Sequence, residues 1–93
     1  MKEKMIRIVV TVLGKDRVGI VAAVSNALAK VGANIVDLTS SKLEDNFVML
    51  VVCEIGGAKS YAEIKRAVTA AGKKVGTKVV VQREEIFKAM HRV

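Results

Sequence analysis

The sequence has few of the residues that cross-links, metal sites and base-stacking surfaces require. Cys53 is its only cysteine, so the chain forms no internal disulfide and holds no metal site of the Cys-x-x-Cys kind. Aromatic residues make up 3% of the chain, which leaves Phe47, Tyr61 and Phe87 as stacking platforms. Single-strand nucleic-acid binders depend on such platforms. We therefore expect no specific nucleic-acid binding.

Proline and long apolar runs are also missing. No apolar run is long enough to span a bilayer, and the first residues lead into a strand-like segment rather than a signal peptide. We therefore expect a cytoplasmic protein that does not enter a membrane. No linker, low-complexity tract or repeat divides the 93 residues, and a hydrophobic content of 52% excludes a disordered chain. The composition predicts a single domain, residues 1–93.

Acidic residues are sparse, with nine Asp and Glu against 16 Lys and Arg, for a formal net charge of +7. The basic residues are scattered along the sequence and become somewhat denser toward the C-terminus. Such an excess permits an acidic partner without requiring one. We interpret the charge as a solvated surface.

Hydrophobic periodicity predicts the first half of the chain as strand, helix and hairpin. Ile- and Val-rich residues 5–13 predict a strand. Apolar positions at helical spacing over 18–31 predict a helix, which Gly32 ends in a left-handed cap. Residues 34–43 and 47–55 predict two strands that are joined by a turn at 44–46.

The second half repeats the helix and the strand. Ser60 and Glu63 have the spacing of a capping box, and Gly72 is the predicted end of the helix that they begin. Residues 75–82 predict a fourth strand. Residues 83–93 predict a helical tail that starts at Glu84 and Glu85.

This order predicts an α+β fold, the ferredoxin-like βαββαβ sandwich, in which two helices cover one face of a four-stranded antiparallel sheet. The third predicted strand is apolar on both faces, whereas a strand with one face in water alternates with polar residues. The second sheet face therefore needs a cover. The tail helix covers part of it, and the rest predicts a homodimer or a higher homo-oligomer.

The turn between the first strand and the first helix is the candidate binding site. Gly14 ends the strand, three charged residues follow, and Gly19 lies in the first turn of the helix. The N–H groups and the positive dipole end of a helix N-terminus suit a carboxylate or another small anion. An ordinary connection with Asp16 as helix cap remains open.

Two motifs resemble those of the ACT domain, a small regulatory module that binds amino acids. The turn reads Asp16-Arg17-Val18-Gly19-Ile20-Val21, and Gly32-Ala33-Asn34-Ile35 follows at the end of the first helix. The last residues, 81–93, resemble the tail of small stand-alone prokaryotic ACT proteins, which are similar to the ACT modules of the glycine cleavage system regulator. Val18 stands where the family usually has proline, so the turn lacks a residue that is pre-set for helix.

The resemblance implies a free amino acid bound at a dimer interface, near the first turn and the start of the second strand. The implied ligand-binding residues are Asp16, Arg17, Val18, Gly19, Ile20 and Asn34. N–H groups at residues 18–20 would bind the carboxylate, and Asp16 and Asn34 the ammonium group. For Asp16 a helix cap, and for Asn34 a tolerated turn conformation, are the open alternatives.

No nucleophile with a base, no paired carboxylates and no metal-ligand cluster can be assembled from the sequence. We therefore expect no enzyme activity, no cofactor and no metal. Cys53 is predicted to be a core residue. The predicted function is an amino-acid-binding regulatory module that acts with a metabolic enzyme or regulator. The alternative is a structural adaptor with a vestigial ligand site, and a weaker one is a basic nucleic-acid binder.

Overall fold

The computed structural model describes residues 5–15, 17–56 and 58–90. Its elements follow the predicted order, strand, helix, strand, strand, helix, strand and a helical tail. They are β1 (Ile6–Gly14), α1 (Arg17–Lys30), β2 (Asn34–Leu43), β3 (Asn46–Ile55), α2 (Ala58–Lys74), β4 (Lys78–Arg83) and α3 (Glu84–Met90). The predicted βαββαβ sandwich with a short C-terminal helix is therefore confirmed.

The four strands form one antiparallel sheet in the order β2-β3-β1-β4. Each βαβ unit therefore spans one intervening strand, and α1 and α2 lie together on one face. The core lies between these helices and the sheet, where every second residue of β3 is buried. Val10, Val51, Leu28 and Val68 bring β1, β3 and both helices into this core with at most 1% of each residue exposed.

Both long helices end in a left-handed glycine cap. Gly32 has φ +75°, and the N–H of Ala33 donates to the carbonyl of Leu28 at 3.0 Å, which confirms the predicted cap. The second predicted end is wrong, because α2 continues through Gly72 and its cap is Gly76, with φ +71°. The predicted capping box is also wrong, since α2 begins at Ala58 and Ser60 lies within its first turn.

The face of the sheet opposite α1 and α2 is partly covered. Phe87 of α3 and Val9 border a cleft of about 250 Å³ over the sheet, and Val9 is 3% exposed. Farther from α3, Leu13 and Val80 are exposed on the same face. The tail helix thus covers one part of this apolar face, as predicted, and leaves the other part open.

Candidate functional site

The turn between β1 and α1 begins where β1 ends at Gly14 and continues into an exposed Lys15. Asp16, the first predicted ligand-binding residue, lies outside the described residues. Arg17 begins α1, and its side chain is also outside the described part of the chain. What the structure places in the turn is therefore its backbone on either side of Asp16.

The next three residues have very different environments. Val18 is 80% exposed, Gly19 is half-buried, and Ile20 is fully buried in the core. The side chain of Ile20 thus anchors the first turn of α1 against the sheet and cannot reach a ligand. Ile20 has only its backbone to offer to an anion, whereas Val18 presents an apolar side chain to the surroundings.

Asn34 lies far from this turn within one chain. It is exposed, begins β2 and pairs with Glu54 of β3, whereas Gly14 at the other end pairs with Phe47. These two partners are seven positions apart on β3, which corresponds to roughly 23 Å along a strand. One chain therefore does not bring Asn34 and the first turn of α1 together.

The free edge of β2 is a feature that the sequence analysis did not single out. β2 lies at the edge of the sheet, is ten residues long and exposes Ile35, Val36 and Leu38 by 38–44%. A bulge at Val36 shifts the register between Ile35 and Asp37. A long exposed apolar edge strand is a template for pairing with another strand. The apolar residues at 35, 36 and 38 were the available sequence signal.

The described residues carry little that resembles catalytic machinery. Cys53 is fully buried, and burial raises the pKa of its thiol to about 11, so the predicted core role is confirmed. Within residues 5–15, 17–56 and 58–90, no three His, Cys, Asp or Glu side chains are grouped to hold a metal ion. None of the helices in these ranges is long and apolar enough to cross a membrane.

Comparison with known proteins agrees with the fold. The family model described as ACT domain matches residues 7–82. A UPF0237 protein of Listeria innocua is 46% identical over 88 residues, which cover 94% of this chain and 99% of the relative. A solved ACT domain protein from Streptococcus pneumoniae superposes with a TM-score of 0.78 at 33% identity, covering 91% of this chain and 97% of that protein.

A more distant structure shares the fold alone. A putative glycine cleavage system transcriptional repressor is 22% identical with a TM-score of 0.75, and the match covers 85% of this chain and 46% of the repressor. The family model and the relatives that match at nearly full length confirm the predicted family. The chain therefore belongs to the ACT-domain family, whose members are regulatory ligand-binding modules, and within it resembles the small UPF0237 proteins.

Proposed function

We propose that this ACT domain is a non-enzymatic cytoplasmic module that binds a free amino acid between two copies of the chain. The observation that carries the proposal is the position of Asn34 at the start of β2, an apolar strand at the edge of the sheet. Asn34 and the first turn of α1 lie at opposite ends of the sheet, too far apart for one amino acid to bridge. A second copy is needed to complete the site.

Pairing of two β2 strands supplies the required geometry. When two edge strands pair antiparallel about a two-fold axis perpendicular to the sheet, the two sheets run in opposite directions. Each end of one sheet then lies beside the opposite end of the other. The start of β2 in one copy then lies at the end that carries the first turn of α1 in the other. This pairing also covers Ile35, Val36 and Leu38, the exposed apolar residues of the edge.

The division of roles follows from the chemistry of an amino acid. The carboxylate binds at the positive end of the α1 dipole, where Gly19 lets the ligand approach the backbone closely. Asp16 and the side-chain carbonyl of Asn34 of the partner subunit accept hydrogen bonds from the ammonium group. Arg17 belongs to the same predicted ligand-binding set, and a guanidinium group is suited to a carboxylate. Ligand binding then stabilises the dimer, and a metabolic enzyme or regulator responds to that change.

A thermal-shift panel of the common amino acids tests the binding. At a hundredfold excess over its dissociation constant, the ligand adds about 2.7 kcal/mol to the free energy of unfolding. For a domain of this size, the melting temperature rises by about 10 °C or more. Asn34→Ala should remove most of this rise and cost the free protein little, because Asn34 is exposed. Asn26→Ala, at an exposed position in the middle of α1, should respond like the wild type.

A mixing experiment tests whether two copies share the site. Gly19→Val places a side chain where the carboxylate approaches, so neither Gly19→Val nor Asn34→Ala alone binds the ligand. In a mixed dimer, however, one wild-type turn faces one wild-type Asn34. Unfolding and refolding the two variants together should restore about a quarter of the wild-type binding capacity, because half of the dimers are mixed and each holds one intact site.

Two results would reject this proposal. If no amino acid raises the melting temperature, the adaptor function takes its place. If an amino acid binds but the mixed sample stays inactive while both variants remain folded and dimeric by light scattering, the site does not join the turn of one copy to Asn34 of the other.

A further inference from the structure

The positive charge of this protein is concentrated on one layer of the fold. α1 and α2 contain seven of the 16 basic residues and one of the nine acidic residues, Glu63. The two helices therefore contribute +6 to a formal net charge of +7. The rest of the chain is nearly neutral. A layer with a large net positive charge attracts partners of the opposite sign.

The outer side of α1 carries few polar residues. Among its 14 residues, Arg17, Ser25, Asn26 and Lys30 are polar, and the exposed positions include Ala22 and Ala29. A helix on the surface of a soluble domain normally carries a polar face toward water. The sheet covers one side of α1 and α2 packs against another, so the outward side of α1 is the side that remains open.

A groove of about 400 Å³ runs between the two helices and combines these properties. Short side chains form its floor and allow a partner to approach the helices closely. They are Ala23, Ala27, Ala67, Ala70 and Ala71. Lys30 and Lys74 border the groove, and the ion pairs of the described residues lie elsewhere, among Arg7, Glu54, Glu84 and Lys88. The rim lysines are thus available to acidic groups.

Three classes of occupant can be compared on this basis. A second copy would place one +6 layer against another, which is repulsive. A nucleic acid would leave the alanine floor without an apolar partner, and the groove has no aromatic residue on which a base could stack. An amphipathic helix with an apolar stripe and acidic flanks matches both the floor and the rim.

We propose that the groove between α1 and α2 is a docking site for an acidic amphipathic helix of a partner protein. The apolar stripe of that helix packs on the alanine floor, and its carboxylates pair with Lys30 and Lys74. This surface lies on the helix layer and is separate from Asn34 and the free edge of β2. Docking therefore does not depend on the amino-acid site, and the two proposals fail independently.

The probe is a fluorescein-labelled synthetic peptide of 18 residues, with leucine and alanine on one helical face and glutamate on both flanks. A scrambled peptide of the same composition has the same charge but no apolar stripe. We expect saturable binding of the first peptide by fluorescence anisotropy at physiological salt, and at least tenfold weaker binding of the scrambled one. An oligonucleotide of similar charge should bind more weakly than the amphipathic peptide.

One substitution distinguishes binding by packing in the groove from binding by overall charge attraction. Ala70 is exposed and lines the groove, so Ala70→Arg fills the groove and also adds a positive charge. We expect at least tenfold weaker peptide binding, whereas attraction by charge alone would make binding tighter. Ala29→Arg is the matched control, because Ala29 is exposed on α1 outside the groove lining. It should change the affinity less than threefold.

A charge reversal tests the rim. The double variant Lys30→Glu with Lys74→Glu should bind the peptide at least tenfold more weakly. The control is Lys42→Glu with Lys78→Glu, on the edge strands of the sheet, which should weaken binding by less than a third of that factor. Circular dichroism verifies that each variant is folded. The proposal is wrong if the scrambled peptide or the oligonucleotide binds as well as the amphipathic one, if Ala70→Arg binds more tightly, or if no peptide binds.

Discussion

Gly72 of α2 lies close to Val79 of β4, and its replacement by alanine has two opposing effects on stability. A Cβ atom added at Gly72 would overlap Cγ2 of Val79 and lie 2.7 Å from Oγ1 of Thr77. The carbonyl of Gly72 accepts two hydrogen bonds from Thr77, from its N–H at 2.9 Å and from its hydroxyl at 2.8 Å. These bonds tie α2 to Thr77, the residue before β4, and so oppose a shift of the helix away from the strand.

The two effects differ in sign. Alanine is favoured over glycine inside a helix by about 1 kcal/mol. Overpacking a well-filled site costs about 1–3 kcal/mol, and the carbon atoms here are far inside their usual separation of about 3.5–4.0 Å. Because the overlap is severe, the upper part of this cost, about 2–3 kcal/mol, applies. After the gain of about 1 kcal/mol is subtracted, we expect Gly72→Ala to lower the free energy of unfolding by about 1–2 kcal/mol. The melting temperature should fall by about 4–8 °C for each kcal/mol.

Urea denaturation followed by circular dichroism measures the change, and a second substitution identifies its cause. Val79→Ala removes the methyl groups that the new Cβ would meet, so the double variant should be more stable than the sum of the single effects. Gly76→Ala is the control, because Gly76 has φ +71° with no atom within 4 Å of its added Cβ. Its cost comes from backbone strain, about 1–2 kcal/mol, and Val79→Ala should not relieve it. A gain in stability for Gly72→Ala would refute the packing argument.

Two further predictions concern the buried thiol and the basic surface. Cys53 should not react with a thiol reagent until the protein unfolds, because burial raises its pKa from 9.0 to about 11. The folded state holds the thiol proton more tightly than the unfolded state does. The contribution of the protonated thiol to the free energy of unfolding is therefore complete below pH 9 and is lost as the pH rises through 11, by about 3 kcal/mol in total. This part of the alkaline loss should be missing in Cys53→Ala, and an equal loss in that variant would assign it to other groups. Oligonucleotide binding should be weak and should collapse with added salt, as counterion release requires, so tight sequence-selective binding at physiological salt would contradict the charge interpretation.

Local patterns were enough to predict the element order, since each element is specified by neighbouring residues. The alternation of β3, the two-residue turn at Glu44 and Asp45, and the left-handed cap at Gly32 all act within a few positions of the chain. The same reasoning misplaced the end of α2, because glycine serves two purposes. At Gly72 a side chain would overlap Val79 of β4, whereas at Gly76 the positive φ angle favours glycine.

Two motifs of the sequence predict the candidate site, and their role in ligand binding stays a prediction. The motifs in the first turn and at Asn34 identified the ACT family, and both are motifs of consecutive residues. Their separation at opposite ends of the sheet was not evident from the sequence, because α1 returns the chain along the full length of β1 before β2 begins. The exposed edge of β2 depends in turn on the strand order, which places β2 beside β3 alone.

The sequence by itself thus determined the helices, the strands and the family, because periodicity, turn residues and short motifs act over a few residues. Only the tertiary structure decided which surfaces remain open. Most of the net positive charge comes to lie on one layer when α1 and α2 pack on the same face of the sheet. Alanines that are far apart in sequence, such as Ala27 and Ala71, meet in one groove for the same reason. Packing creates such surfaces by joining distant residues, and no local pattern encodes them.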